Sequence, residues 1–284
     1  MMKRPQWITA GIAILLVIGL FAATRKEIFG PHAPAKIMAG QSSSLSYSTD
    51  SILFHAKESL SEEQMLRLNT LEHSISRGDV KEQKLHIYHQ LASFWADSAG
   101  VFPPAAWYTA EAARLENSEK SLTFAAHLLL NNLVDEASPL VRQWEAFQAK
   151  DLFERSLKLN PDNDSSRVGL GAVYVYGGFA MPMEGIGMIR KVADKDTTNV
   201  FAQMTLGKAS LMSGQLEKAS ERFKRVASLQ PSNLEAIIRV AETEEQLQNN
   251  AEAVRWYSKL LPLITNQEMK NEVEARIARL KNRS

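Results

Sequence analysis

The chain has 284 residues, 45% of them hydrophobic, which suits one folded body with an extension. It has no cysteine, which excludes disulfides, thiolate catalysis, cysteine metal sites and an acylated lipoprotein cysteine. The formal charge is +1, but Lys3, Arg4, Arg25 and Lys26 all flank the first apolar run, and without them 29 bases face 32 acids, so no clustered basic face is left for nucleic acid.

Twenty uncharged residues separate Arg4 from Arg25, and Trp7 to Ala23 is nearly all apolar. At about 1.5 Å per residue such a helix spans roughly 30 Å, the thickness of bilayer hydrocarbon. Only a helix satisfies its backbone groups there, and Trp7 stands where an interfacial aromatic belongs. The expected arrangement is a basic tail at 1–6 and one uncleaved transmembrane helix at 7–24. A cleaved signal peptide fits the basic start, but Leu20-Phe21-Ala22-Ala23 running into Thr24-Arg25-Lys26 is a poor cleavage region. A buried core helix would be alone in this chain in being so uniformly apolar. The flanking charges favour a cytoplasmic N-terminus, a single pass of the inner (cytoplasmic) membrane and a folded domain on the periplasmic side.

Gly30 to Asp50 has no hydrophobic period and many Gly, Pro and Ser residues, so a flexible linker is expected over 25–56. Helical patterning then runs to the end. Ser61 with Gln64 forms a capping box before Met65, Leu68, Leu71 and Ile75, and Gly78 suits the C′ position of that helix. Ser138-Pro139 reads as an N-cap followed by proline at the first helical position. Breaks recur at Gly100 to Pro104, Asp135 to Pro139 and Gly177-Gly178. No alternating run reads as a strand, and the fold class expected is all-α.

Self-comparison gives the sharpest signal. Gly171, Gly207 and Ala241 are spaced by 36 and 34 residues, and Leu170, Leu206 and Val240 repeat that spacing one position earlier. Ala149, Gly185, Ala219 and Ala253 recur at 36, 34 and 34, as do Phe153, Ile189, Phe223 and Tyr257. Pro161 and Pro231 close two units, with Thr197 at the equivalent place between them. Small residues at Gly207 and Ala219 let paired helices approach, Leu206 and Phe223 fill the groove, and Pro231 stops the helix.

On these residues the chain resembles the tetratricopeptide family, whose unit is a helix–turn–helix of about 34 residues. The clearest unit is Val200 to Asn233, with Leu206-Gly207, Gly214, Ala219, Phe223 and Pro231. The unit from Leu234 lacks the glycine and the closing proline, and the unit from Asp164 has two extra residues at Gly177 to Pro182. These three units make up 164–265. A degenerate region at 57–163 carries Leu91-Ala92, Trp95 and Tyr108, with about eleven extra residues before Phe153. At 266–284, Met269, Val273, Ile277 and Leu280 form the stripe of a C-terminal capping helix, and a helix near 59–77 is expected to cover the other end. The resemblance implies a right-handed superhelix of antiparallel helix pairs with a concave face that binds a protein or peptide.

No nucleotide, zinc-protease or serine-hydrolase signature is present. Gly169-Leu170-Gly171 and Gly185-Ile186-Gly187 fall within repeat helices, where small residues serve helix contact. His86 and His89, with Glu82 a turn earlier, could face a metal but lack a third strong ligand, and a polar helix surface is the plainer reading. Asp162 and Asp164 lack the rest of a calcium loop. Trp95, Trp107, Tyr108, Trp144 and Trp256 are expected in the core.

The concave positions implied by the resemblance are Val168, Ala172, Val175 and Tyr176; Phe201, Met204, Lys208, Leu211 and Met212; and Glu235, Ile238, Glu242, Glu245 and Gln246. Met204, Ile238 and Glu242 depart from the Lys and Asn pattern of the family's carboxylate clamp, so a terminal carboxylate is not the expected ligand. The function expected is a non-catalytic, membrane-tethered scaffold for a protein partner in envelope assembly, secretion or chaperoning. No cofactor, nucleic acid or small-molecule substrate is expected. Two alternatives stay open: a structural subunit of a larger membrane complex, and a metal-dependent enzyme at His86 and His89.

Overall fold

The computed structural model describes residues 48–77 and 80–282, and within them every regular element is helical. The expected transmembrane segment at 7–24, most of the linker and Gly78 lie outside the described residues. Among the described residues no helix is long and apolar enough to cross a membrane.

The first described helix, α1 (Thr49–Lys57), corrects the expected linker, which ran to residue 56. Ser48 caps it by accepting from the Ser51 amide at 3.1 Å, and Ile52 and Ala56 are buried against the body. Two apolar residues one turn apart suffice for a short helix once a groove is there to receive them. The helix α2 (Glu62–Arg77) opens with the expected capping box: the Gln64 amide donates to Ser61 Oγ at 3.2 Å and the Ser61 amide to Gln64 Oε1 at 3.0 Å. Leu68 of α2 is wholly buried with Phe94 and Trp95.

Five antiparallel pairs follow. They are α3 (Lys81–Ser93) with α4 (Phe102–Glu116), α5 (Glu119–Leu133) with α6 (Pro139–Leu159), and α7 (Asp164–Tyr176) with α8 (Pro182–Lys195). The last two are α9 (Val200–Met212) with α10 (Leu216–Leu229) and α11 (Leu234–Gln246) with α12 (Asn250–Leu260), after which α13 (Gln267–Lys281) packs on α12. The end of α3 widens into a π-type turn over Phe94–Ser98, whose Phe94 and Trp95 are buried. In the middle of the array first helices also pack on each other (α5 on α7, α7 on α9), while each second helix packs on the following first helix.

The repeat shows in the caps. Asn163, Asn199 and Asn233 open α7, α9 and α11, each accepting from an amide three residues on at 2.8, 2.9 and 3.0 Å. Each inter-helix turn then needs one residue with positive φ: Gly178 at 76°, Gly214 at 70° and Gln248 at 61°. Gln248 takes this conformation without glycine's freedom, which explains how the last unit manages its missing glycine. The two extra residues of the unit from Asp164 fall after Gly178, in the turn before α8.

Small residues set the helix spacing where the sequence placed them. A Cβ on Gly207 would meet the Phe223 ring at 2.5 Å, and one on Gly185 would lie 2.4 Å from the Gly171 carbonyl oxygen. Gly187 corrects the pattern, since a Cβ there would meet nothing within 4 Å. The stripe on α13 buries Val273, Ile277 and Leu280, but Met269 in its first turn stays 46% exposed.

The eleven extra residues lengthen the α5–α6 turn and extend α6 at its N-terminal end. That extension carries Trp144, whose indole N–H donates to Thr49 Oγ1 at 3.1 Å and whose ring shares a core with Ile52. The helix α1 packs on α4, and the insertion supplies Trp144 as a second support for it. Of the five aromatic residues expected in the core, Trp95, Tyr108 and Trp144 are buried, while Trp107 and Trp256 are only partly so.

Candidate functional site

The first helices α3, α5, α7, α9 and α11 form one face of the array, and its two halves are built differently. In the half made by α7, α9 and α11 the side chains bond to one another. Lys208 Nζ on α9 lies 2.6 Å from Glu235 Oε1 on α11. The Tyr176 hydroxyl on α7 donates to the Thr205 carbonyl on α9 at 3.3 Å. Burial, with the nearby Glu235 carboxylate, holds that phenol well above its usual pKa. At the far end Arg276 of α13 donates to Glu245 at 2.7 Å, and the Tyr257 hydroxyl donates to the same carboxylate oxygen at 3.2 Å. Glu242 pairs with Arg239 at 3.2 Å.

The fourteen positions implied by the resemblance therefore separate. Val168, Ala172 and Met204 are buried and pack between helices, which removes them from any docking surface. Val168 lies with Ile189 and Leu206, and Met204 with Phe223 and Ile237. The reason is geometric: these positions face the second helix of their own pair as well as the first helix of the next. Tyr176, Lys208, Glu235, Glu242 and Glu245 are engaged as described. Phe201 is half-buried, its ring 5.2 Å from His127 of α5. Leu211 and Ile238 are half-buried, and Gln246 is exposed. Val175 and Met212 belong to a separate groove walled by second helices.

The other half of the face is open. A groove of about 370 Å³ runs between α3 and α5 with α4 as its floor. Ala105, Ala112 and Ala113 line the floor, Ala92 and Ala96 one wall, and Leu128 and Phe124 the other. Phe124 is 65% exposed at its rim. Asp97 and Glu116 give the rim an acidic cast, and His89 stands beside them. Small floor residues leave depth, and an exposed aromatic on a wall is what a docking segment buries first. Sequence reasoning missed this groove because the concave positions implied by the resemblance cover only the three regular units from Asp164 onward. Carrying those positions onto α5 from its own cap, Ser118, would have reached Thr123 and His127; Phe124 stands one residue beyond the first of them.

Behind the groove, His127 sits between Phe153 and Phe201 with Nε2 2.8 Å from Ser165 Oγ, and burial lowers its pKa. His86 and His89 are both exposed on α3, and among the described residues no three His, Asp or Glu side chains come together to hold a metal.

Two buried carboxylates mark the two halves. Glu244 on α11 accepts from Lys224 at 2.8 Å, from Asn249 at 2.9 Å and from the Ser220 hydroxyl. Burial works against its charge, but these bonds hold its pKa below the usual range. Glu145 on the α6 extension accepts from Asn132 at 2.7 Å, while its second oxygen has no partner. Burial pushes its pKa up to about 7, against the pull of Asn132.

No family model and no curated protein matches the chain. Solved structures do. PilW is similar at 19% identity over 70% of this chain and 86% of its own, with a TM-score of 0.50. PilF of Pseudomonas aeruginosa is similar at 14% identity over 71% and 86%, with a TM-score of 0.49. MamA from Desulfovibrio magneticus RS-1 reaches 22% identity over 66% and 96%, with a TM-score of 0.45. At these identities the likeness is one of architecture: the chain has a tetratricopeptide-like helical-repeat fold.

Proposed function

We propose that the protein is a non-catalytic scaffold, tethered to the inner membrane by the apolar segment at 7–24, that grips a segment of a partner protein on its first-helix face. The single observation that carries this reading is the open groove between α3 and α5, with its alanine floor and exposed Phe124. Such a groove offers apolar burial and shape, which is the chemistry of binding a segment. The layout of basic tail, apolar run and spacer supports a role on the periplasmic side, in envelope assembly, secretion or chaperoning. PilW, similar in fold, is described as a widely conserved type IV pilus biogenesis factor. Tethering raises the effective concentration of the scaffold near membrane-bound partners.

Photo-crosslinking of the full chain in its native membrane tests this. A crosslinker at Phe124 is expected to capture a discrete partner that one at Lys281, on α13, does not. Phe124→Lys should weaken that partner's binding about tenfold or more. Equal capture at both positions would sink the groove assignment.

A further inference from the structure

We infer that the array carries a second docking groove, walled by second helices, which takes an apolar segment of a partner protein flanked by carboxylates. A cavity of about 600 Å³ lies between α8 and α10 with α9 as its floor. This is within the range of roughly 300–1,000 Å³ that ligand-binding clefts occupy. It opens away from the α3–α5 groove, between second helices rather than first ones, so the failure of either site leaves the other standing.

The groove is apolar where it is deep. Ile186, Leu206 and Ala209 line it, and Met183 and Met212 stand on its rim, 75% and 67% exposed. Among the described residues no large hydrophobic side chain is more exposed than Met183. Its position follows from the two extra residues after Gly178. Phe179 in that longer turn packs on Phe147 and Tyr174, with ring centroids 5.2 and 5.7 Å away. This pins the turn to the preceding pair and leaves Met181 and Met183 facing water. Exposed methionines have flexible, polarizable side chains that adapt to varied apolar partners.

Charge selects the occupant. Arg190, Lys218 and Arg222 line the groove, and among the described residues none of them is in an ion pair. Lys218 donates to the Gln215 amide oxygen at 2.7 Å and Arg222 to that of Gln203 at 2.7 Å, both neutral partners. The one carboxylate in the lining, Glu221, turns to Arg225 on the same helix at 3.8 Å. On the first-helix face, by contrast, Lys208 and Arg276 are both paired with carboxylates. Three unpaired cations around an apolar trough complement an amphipathic segment whose apolar anchors are bordered by Asp or Glu, and they repel one bordered by Lys or Arg.

The test uses the full chain in detergent and two synthetic helical peptides with identical leucine anchors, one flanked by glutamates and one by lysines. Fluorescence anisotropy is expected to show the glutamate peptide binding about tenfold tighter or more. Arg190→Glu with Lys218→Glu should reverse that preference, and Met183→Ser with Met212→Ser should weaken both peptides about tenfold. All four positions are exposed, so the variants should fold, and unchanged helical circular dichroism checks this. Equal binding of the two peptides, or a preference that charge reversal does not move, overturns the proposal. It also fails if the charge variants lose binding only to phosphatidylglycerol vesicles, which would make the groove a lipid contact. Loss of self-association alone, read by sedimentation, would make it an interface between copies and would equally overturn it.

Discussion

The stretch from α1 to α6 and the stretch from α7 to α13 use the same helical hairpin, yet they satisfy their polar groups differently. In α7–α13 the units keep a spacing of 34 to 36 residues, each first helix is capped by asparagine, and the buried Glu244 has three donors. Charged side chains on the first-helix face are tied across neighbouring helices, and α13 closes the end through Arg276. In α1–α6 an insertion breaks the spacing, the buried Glu145 has one donor for two oxygens, and the groove between α3 and α5 stands open. On its first-helix face the regular half has made its bonds internally. The irregular half keeps surface and an unsatisfied group, as sites that serve binding commonly do.

The largest expected effect falls on the insertion. Trp144→Ala should cost about 3–5 kcal/mol in denaturant melts, the usual range for emptying a buried aromatic site, and α1 amides should lose their exchange protection. Unchanged stability would mean that α1 and the α6 extension do not share a core.

Next come the two carboxylates, for which the same substitution should have opposite signs. Glu145 has a raised pKa, so its contribution is fullest below the ordinary carboxylate range and is lost as pH rises through about 7. Glu145→Gln should therefore stabilise the protein at pH 8 by on the order of 2–3 kcal/mol and flatten the fall in melting temperature between pH 5 and 8. Glu244 has a lowered pKa, so its contribution is present above the ordinary range and is lost as pH falls through the lowered value. Glu244→Gln should destabilise by about 1.5–3 kcal/mol at neutral pH. If both variants shift stability the same way, the contrast between the halves is wrong.

Smaller effects test the regular half. Gly207→Ala should cost about 1–3 kcal/mol because its methyl meets the Phe223 ring, whereas Gly187→Ala, with open space around it, should gain about 0.5–1 kcal/mol. Gln248→Gly should gain up to about 1 kcal/mol by relieving a left-handed backbone at 61°. Thermal melts of the three variants would rank them, and a destabilised Gln248→Gly would show that this turn is held by its side chain instead.

Much of the fold was readable because it rests on local rules. The 34-residue period, the Gly207 and Phe223 contact and the Ser61–Gln64 capping box each depend on residues near in sequence or on a fixed repeat distance. The candidate site was less readable. Met204 and Val168 stand among the outward positions implied by the resemblance, but they pack with Phe223 and Ile189 of their own pairs and with Ile237 and Leu206 of the next. Met183 and Met212 are 29 residues apart and belong to different pairs, so their shared groove exists only once α8 and α10 are stacked. Phe124 lies one residue past the position that corresponds to Val168 and Met204, outside the rows carried over.

The sequence by itself determined an all-α repeat, the pairing of its helices and the turns between them, because hydrophobic period and glycine spacing act within a single hairpin. Tertiary structure decided which outward positions stay outward, which cations keep a partner, and that a short segment before residue 58 becomes a helix. Each of those depends on a neighbour supplied from elsewhere in the chain: Trp144 for α1, α9 for Val168, and Arg276 for Glu245. Side-chain burial and charge pairing are properties of the stack, and no window of sequence shorter than two repeats contains them.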